Sequence, residues 1–534
     1  MKNVKLLDCT LRDGGYINDW EFGHDTLISV FERLVSTKVD AIEIGFLDER
    51  RAFDINRSIM PDTASAGKIY GGVDKGSAMV VGMIDYGTCG IEQIQPCNES
   101  YLDGIRVIFK KHLMHEALAF CKQIKDLGYQ VFAQLVSVTS YNDKELLELI
   151  DLVNSVKPYA VSMVDTYGLM HQENLSHIFD ILDHNLDPEI CIGYHAHNNF
   201  QMGYANCIKM LHTDTERTIL VDGTLYGMGK SAGNAPLELL GMYMNDNLGK
   251  QYDVGQMLEA IENNIMEIYR HIPWGYNLFY YVAASNHCHP SYVSYLMNKR
   301  TLSIKSINEI LPHLQGESKL LYDKKLIEQL YLDYQKTECE DSQARSQLKA
   351  QLAGKTVLVL GPGKNLVQQA NLIGDCLNNC DPVIISVNFM PKQFKPDYLF
   401  LTNSKRYAQL STRLADPANK NMPLIATSNV TKAEGTFEYE LNYSNLIDEK
   451  TEIPDNSLIM MLKVLMASGV TKILLAGFDG YTAREEEENY FNTNMEYSFA
   501  KEKAEYLNAY AKKFLAEHAD QIEVTFVTRS HYQD

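Results

Sequence analysis

Short apolar runs alternate with longer amphipathic stretches from the N-terminus to about residue 230. The pattern predicts strands over Lys5–Asp8, Ala41–Gly45, Met79–Asp85, Ile105–Phe109, Val131–Val136, Ala160–Asp165, Cys191–His197 and Thr218–Gly223. Between them, stretches such as His115–Leu127 and Lys144–Ser155 space apolar residues three and four apart, as on a one-sided helix. Eight strands with intervening helices predict an N-terminal (β/α)8 TIM barrel, a fold that usually takes about 250 residues. A doubly wound open sheet has the same local pattern and is the alternative.

From about Gln251 to Leu332 the chain turns helical and aromatic-rich. Residues 337–351, TECEDSQARSQLKAQ, carry almost no apolar side chains and predict a domain boundary. KTVLVLGPGKN then opens a second α/β unit, with strands predicted at Val383–Val387, Tyr398–Leu401, Leu424–Thr427 and Lys472–Ala476. The apolar stretch Leu458 to Phe478 is broken by Lys463 and Lys472 and reads as a helix followed by a strand. The expected division is a barrel over 1–290, a helical extension and linker over 291–352, and a Rossmann-like α/β domain over 353–534.

Composition then narrows the class. The 534 residues are 45% hydrophobic and 22% charged, enough apolar material for two or three cores. Acidic residues number 69 against 49 basic ones, a formal charge of -20, which argues against nucleic acid or an anionic membrane as partner. The first ten residues lack the apolar core of a signal peptide, and no run reaches the roughly 18 apolar residues of a membrane span. Ten cysteines without a regular framework fit reduced thiols, so the expected location is cytoplasmic.

Three segments carry candidate chemistry. In LLDCTLRDGGY, Arg12 and Asp13 follow the first strand, at the barrel face where active sites lie. In GYHAHNN, His195 and His197 are two apart at the end of the seventh, so alternation points both imidazoles one way. One carboxylate and two histidines leave coordination positions open for substrate and water. The third segment, VDGTLYGMGKSAGNAPLELL, begins at Val221; its Gly227, Gly229 and Gly233 suit a tight loop near a ligand. Asn234 offers an oxygen to a metal or a donor to substrate, though such a loop can also simply close the barrel.

DCTLRDGG, IEIGF, VDTYG, HAHNNFQMGYAN and GMGKSAGNAPLE together resemble the metal-dependent barrels of the hydroxymethylglutaryl-CoA lyase, isopropylmalate synthase and 4-hydroxy-2-oxovalerate aldolase group, over roughly residues 1 to 290. The loop wording is most similar to the hydroxy-oxo-acid aldolases. The resemblance implies Mn²⁺ or Mg²⁺, rather than Zn²⁺, held by Asp13, His195 and His197, with Glu43 near the metal. Arg12 is then the group that holds a developing oxyanion. Tyr167 and Asp165, at the end of the sixth strand, and the Gly233–Asn234 turn are candidate substrate contacts.

One position departs from those aldolases: they carry a histidine where this chain has Tyr16. An ordinary tyrosine, with a pKa of about 10, is a poor base at neutral pH. Three readings stay open: Tyr16 with a lowered pKa, a metal-bound water, or another residue such as His112. Lys110 and Lys111 would allow a Schiff base, and His287, Cys288 and His289 a zinc site; packing or surface roles are the plainer readings of both groups.

In the second unit, Gly361 and Gly363 follow a strand and precede a helix, a geometry that can hold an anion. The third glycine of a dinucleotide fingerprint is missing, and the next strand ends in Val387-Asn388 rather than an acid. This part resembles motility-accessory and sialyltransferase-like domains. That resemblance makes Asn388, Asn403, Asp479 and Tyr481 candidates, with the two glycines, for a nucleotide or nucleotide-sugar pocket; a docking domain is the alternative.

The combined reading is a divalent-metal-dependent aldolase, a carbon–carbon lyase that joins or separates a 2-oxo acid such as pyruvate and an aldehyde through a metal-stabilised enolate. The domain pairing suggests unusual sugar-acid synthesis for a surface polysaccharide, and a homo-oligomer is expected. The alternatives are an acyl-CoA-dependent Claisen-type enzyme and a nucleotide-sugar binding or transfer protein with a catalytically reduced barrel.

Overall fold

The eight predicted N-terminal strands all form, and in the computed structural model they close. The strands are β1 (Val4–Asp8), β2 (Ala41–Leu47), β3 (Met79–Asp85), β4 (Gly104–Phe109), β5 (Gln130–Leu135), β6 (Ala160–Asp165), β7 (Cys191–Ala196) and β8 (Ile219–Gly223). Each pairs in parallel with its neighbours, and β1 pairs with both β2 and β8. Closure excludes the open-sheet alternative and makes this a (β/α)8 barrel. The structure describes residues 3–533, apart from 300, 320–321, 337, 431–435, 449–450, 485, 493–494 and 496–499. Among them no helix is long and apolar enough to cross a membrane.

The helices form for the reason their spacing suggests. In Asp143–Val156 the buried residues are Leu146, Leu149, Ile150, Val153 and Val156, one face of a 3.6-residue repeat. Asn142 accepts from the Glu145 backbone and Glu145 reaches back to the Asn142 N–H, a capping box that sets the first turn.

Alternation sorts each strand into an outward row that packs on the helices and an inward row. The lowest inward layer is apolar: Leu7, Ala41, Val81, Phe132, Ala160, Cys191 and Leu220, from seven of the eight strands. Above it the interior turns polar, with Glu43 on β2, Arg106 on β4, Gln134 on β5, Ser162 on β6 and Asp222 on β8, all buried. β7 stops at Ala196, one residue short of the predicted end. His197 leaves the sheet and forms an isolated antiparallel bridge with Asn234.

The chain divides into two compact units, Met1–Pro290 and Ser291–Asp534. The second holds seven parallel strands: β9 (Thr356–Leu360), β10 (Val383–Val387), β11 (Tyr398–Leu401), β12 (Leu424–Thr427), β13 (Tyr439–Leu441), β14 (Lys472–Ala476) and β15 (Glu523–Phe526). Their order is β13-β12-β11-β10-β9-β14-β15. β13 and β15 escape the apolar-run criterion because they are short edge strands with polar or half-exposed positions. The polar stretch read as a boundary begins at position 337, outside the described residues. Most of the rest is the helix Ser342–Leu352, whose Leu348 and Leu352 are buried in the same cluster as Val357, Ile385 and Phe400. Leu348 and Leu352, four apart, and the half-buried Ala344 form the one apolar stripe by which this otherwise polar helix docks.

Candidate active site

Asp8 ends β1 and shapes the turn that follows. Its carboxylate accepts from Thr10 N at 3.0 Å and Thr10 Oγ1 at 2.6 Å, and Thr10 Oγ1 in turn accepts from Leu225 N at 2.8 Å. The short helix Thr10–Asp13 then turns Arg12 and Asp13 inward, both buried. Arg12 donates from Nε to Glu43 at 2.7 Å and from one terminal nitrogen to Asp13 at 2.5 Å. Trp20 Nε1 donates to the Arg12 carbonyl at 2.7 Å and fixes the backbone there.

Asp13, His195 and His197 each bring a ligand atom within 4.8 Å of the others. The two imidazoles lie 5.1 Å apart with planes at 84°. His195 points Nε2 at Asp13 Oδ1, 3.9 Å away, and donates from Nδ1 to Asp222 at 3.0 Å. Asn234 Nδ2 donates to Asp13 Oδ2 at 2.6 Å. Gly229 permits that approach: a Cβ there would stand 2.1 Å from Asn234 Nδ2 and 2.5 Å from Asp13 Oδ2. The Gly233 carbonyl accepts from Asn198 N at 2.8 Å and ties the loop to the end of β7.

Three buried polar atoms of this cluster have no partner: His197 Nδ1, Asn234 Oδ1 and Glu43 Oε1. Such atoms are costly to bury unsatisfied. One carboxylate and two imidazoles around one point, with an unpartnered amide oxygen on the neighbouring Asn234, suit a divalent cation. Burial pushes the His197 imidazole down to about 3, against the pull of Asp13, and keeps it neutral as a ligand must be. Burial opposes the charge on Asp13, but Arg12 and the two histidines outweigh it and hold the carboxyl well below its ordinary range.

Arg106 and Asp222 were not singled out from the sequence, yet they organise the site. Fully buried, Arg106 donates to Glu43 at 3.0 Å, Gln134 at 3.1 Å and Asp222 at 2.5 Å. The chain of contacts runs from Arg12 through Glu43, Arg106 and Asp222 to His195. Their signal was a charged residue at an inward register of an apolar strand, GIRVIF or ILVDG. Cys9 Sγ lies 3.9 Å from His195 Nδ1, and burial raises its thiol well above the ordinary value.

Tyr16 stands at the mouth, 41% exposed, its ring 4.8 Å from Trp20. Burial of its hydroxyl end, partly offset by Arg12, pushes that group up to about 12. That direction runs against a Tyr16 of lowered pKa and suits a phenol that donates a proton. His112 is exposed on the turn Lys111–Leu113, and Lys111 is engaged with Glu145 at 2.9 Å. Asp165 accepts from Leu169 N and Met170 N, which shapes the turn that carries the half-buried Tyr167. His287, Cys288 and His289 do not form one of the ligand clusters found among the described residues.

In the second unit, Gly363, Asn388, Asp479 and Tyr481 line one cavity of about 90 Å³. The glycines there serve contact between loops. Gly361 N donates to Ala476 O at 2.8 Å and Gly363 N to Gly477 O at 2.7 Å, and a Cβ on Gly363 would meet Asp479 Cγ at 2.5 Å. Asp479 itself accepts from Asn365 N at 2.7 Å, so the helix start proposed for an anion already holds a carboxylate. Asn388 is satisfied by Thr402 and Ser457, and Asn403 caps the helix Ser404–Leu414.

Residues 3–264 match the model of the HMGL-like family. The chain is 26% identical over 271 residues to a 4-hydroxy-2-oxovalerate aldolase of Chloroflexus aurantiacus, covering 49% of this chain and 75% of that one. It is 25% identical over 257 residues to a 2-isopropylmalate synthase of Sulfolobus acidocaldarius, covering 48% and 64%. Among solved structures, the N-terminal domain of a candidate aldolase from Bacteroides vulgatus matches with a TM-score of 0.47 at 23% identity, over 57% of this chain and 99% of that domain.

Proposed function

We propose that the N-terminal barrel is a divalent-metal-dependent aldolase that makes or cleaves a carbon–carbon bond between a 2-oxo acid, with pyruvate the simplest, and an aldehyde. The observation that carries this is the convergence of Asp13, His195 and His197 beside the unpartnered oxygen of Asn234 at the mouth of an HMGL-like barrel. These residues would hold the ion, Mn²⁺ or Mg²⁺ by the hardness of the carboxylate and amide oxygens. A divalent ion supplies Lewis acidity toward the ketone and carboxylate oxygens of an oxo acid.

Condensation forms the bond from C3 of the oxo acid to the aldehyde carbon. The proton that leaves C3 passes to water, the one gained by the aldehyde oxygen comes from Tyr16, and water restores the Tyr16 proton, so no net proton is consumed; cleavage is the reverse. Arg12 holds two carboxylates through Nε and one terminal nitrogen, and its remaining nitrogen is free to hold the enolate oxygen. Tyr16, kept protonated, delivers the proton to the aldehyde oxygen. Asp222 and Arg106 keep the His195 ring oriented.

The test is proton NMR of pyruvate methyl exchange in D₂O, with Mg²⁺ against EDTA. Exchange that needs the metal and disappears in His195→Ala supports enolate chemistry. Absence of exchange with the metal demonstrably bound overturns the pyruvate reading.

A further inference from the structure

Lys230 is a cation that the barrel's ion pairs leave out. Its backbone N donates to Asp13 Oδ2 at 3.2 Å, and its carbonyl accepts from Gly233 N at 3.1 Å, so the residue is fixed directly over the ligand cluster. The loop is braced from outside by Trp274 Nε1, which donates to Tyr226 O at 2.9 Å, and by Asn199, which accepts from Ala232 N. The ammonium lies 5.2 Å from the centre of the Tyr16 ring. Among the described residues it forms no ion pair, whereas Arg12 and Arg106 are both paired.

The surrounding charge shows what the ammonium awaits. It is coupled electrostatically to Asp13, Arg12 and Asp85, and to His197 and His289. Of these carboxylates, Asp13 is held by Arg12, and Asp85 lies under the stronger influence of Lys110 and Arg50. The buried network itself carries two guanidinium groups and three carboxylates, one negative charge in excess. A divalent ion would turn that into one positive charge, which the carboxylate of an oxo acid balances. Lys230 then remains as a largely buried cation, its backbone fixed, beside Tyr16, the donor to the aldehyde oxygen.

We propose that Lys230 selects an aldehyde that carries its own anion, a carboxylate or a phosphate ester, by pairing with that group while the aldehyde oxygen meets Tyr16. This rests on the aldolase reading and adds the chemical class of the second substrate.

The experiment uses the full chain with Mg²⁺, without and with oxalate as an unreactive oxo-acid mimic. Fluorescence of Trp20 and Trp274 follows binding of succinate, glycerol 3-phosphate and uncharged glycerol. The expected result is saturable binding of at least one anion and none of glycerol, weakened at least tenfold in Lys230→Met and largely restored in Lys230→Arg. The preferred anion separates carboxylate from phosphate ester. In turnover with pyruvate, the ratio of kcat/KM for succinic semialdehyde or glyceraldehyde 3-phosphate to that for propionaldehyde should exceed ten and collapse in Lys230→Met, through KM.

Equal anion binding by wild type and Lys230→Met, or no anion binding at all, overturns the proposal. If anions bind through Lys230 but oxalate does not bind and pyruvate does not exchange, the aldolase reading fails and the Lys230 anion site stands.

Discussion

His195 and Asp222 form a donor–acceptor pair at 3.0 Å inside the barrel, with the imidazole's other nitrogen turned toward Asp13. The carboxylate fixes which ring nitrogen keeps its hydrogen and leaves Nε2 free as a ligand. In Asp222→Asn the amide no longer enforces that tautomer. Mn²⁺ affinity, read by electron paramagnetic resonance, should fall about 10–100-fold with the fold retained. Unchanged affinity would mean that the pair serves packing alone.

Arg106 pairs with two buried carboxylates, Glu43 and Asp222. Arg106→Met should leave Asp222 buried without its cation, Glu43 keeping only Arg12, and cost about 3–5 kcal/mol. Urea unfolding monitored by circular dichroism measures this. A loss under about 1 kcal/mol would show that the interior admits water or protons freely.

Tyr16 with its hydroxyl near 12 cannot give an ionisation limb between pH 6 and 9. Tyr16→Phe should lower turnover by about 10²-fold or more while Mn²⁺ still binds. Tyr16→His should introduce a limb in the kcat profile near the ordinary imidazole value of about 6.5. A wild-type limb that vanishes in Tyr16→Phe would contradict the assignment of Tyr16 as a protonated donor.

Burial pushes the Asp8 carboxyl up to about 7, against the two hydrogen bonds from Thr10. The folded chain therefore holds a proton there that the unfolded chain, with its ordinary carboxyl near 3.8, has released. This contribution to stability is full below about pH 4 and is lost as pH rises toward 7. The urea midpoint of Asp8→Asn should lack that component, so its profile between pH 4 and 7 should fall less than that of the wild type.

Much of the site was legible in the sequence because its motifs follow the ends of β1, β7 and β8, which a closed barrel brings to one mouth. Asp13, His195 and His197 come within ligand reach of one another, and Asn234 donates to Asp13. Arg106, Asp222 and Lys230 were not legible. Arg106 and Asp222 were marked only by a charge inside an apolar strand, and which partners they meet is set only once the sheet has closed and β4 faces β8 across the interior. Gly361 and Gly363 show the opposite failure: their spacing matches a phosphate turn, but the folded chain spends it on the crossing of two loops. The direction of the Tyr16 shift was hidden for a similar reason, since desolvation depends on Trp20, Phe46 and Lys230 arriving around it.

The contact between Asp479 and Asn365 N gives the second unit a tethered competitor. A carboxylate attached to the same scaffold occupies the amide at an effective concentration of millimolar or more, without the loss of translational freedom that a free anion incurs. Any phosphate arriving at the Gly363 turn must displace that side chain, and would gain access most readily below about pH 6, where Asp479 takes up a proton.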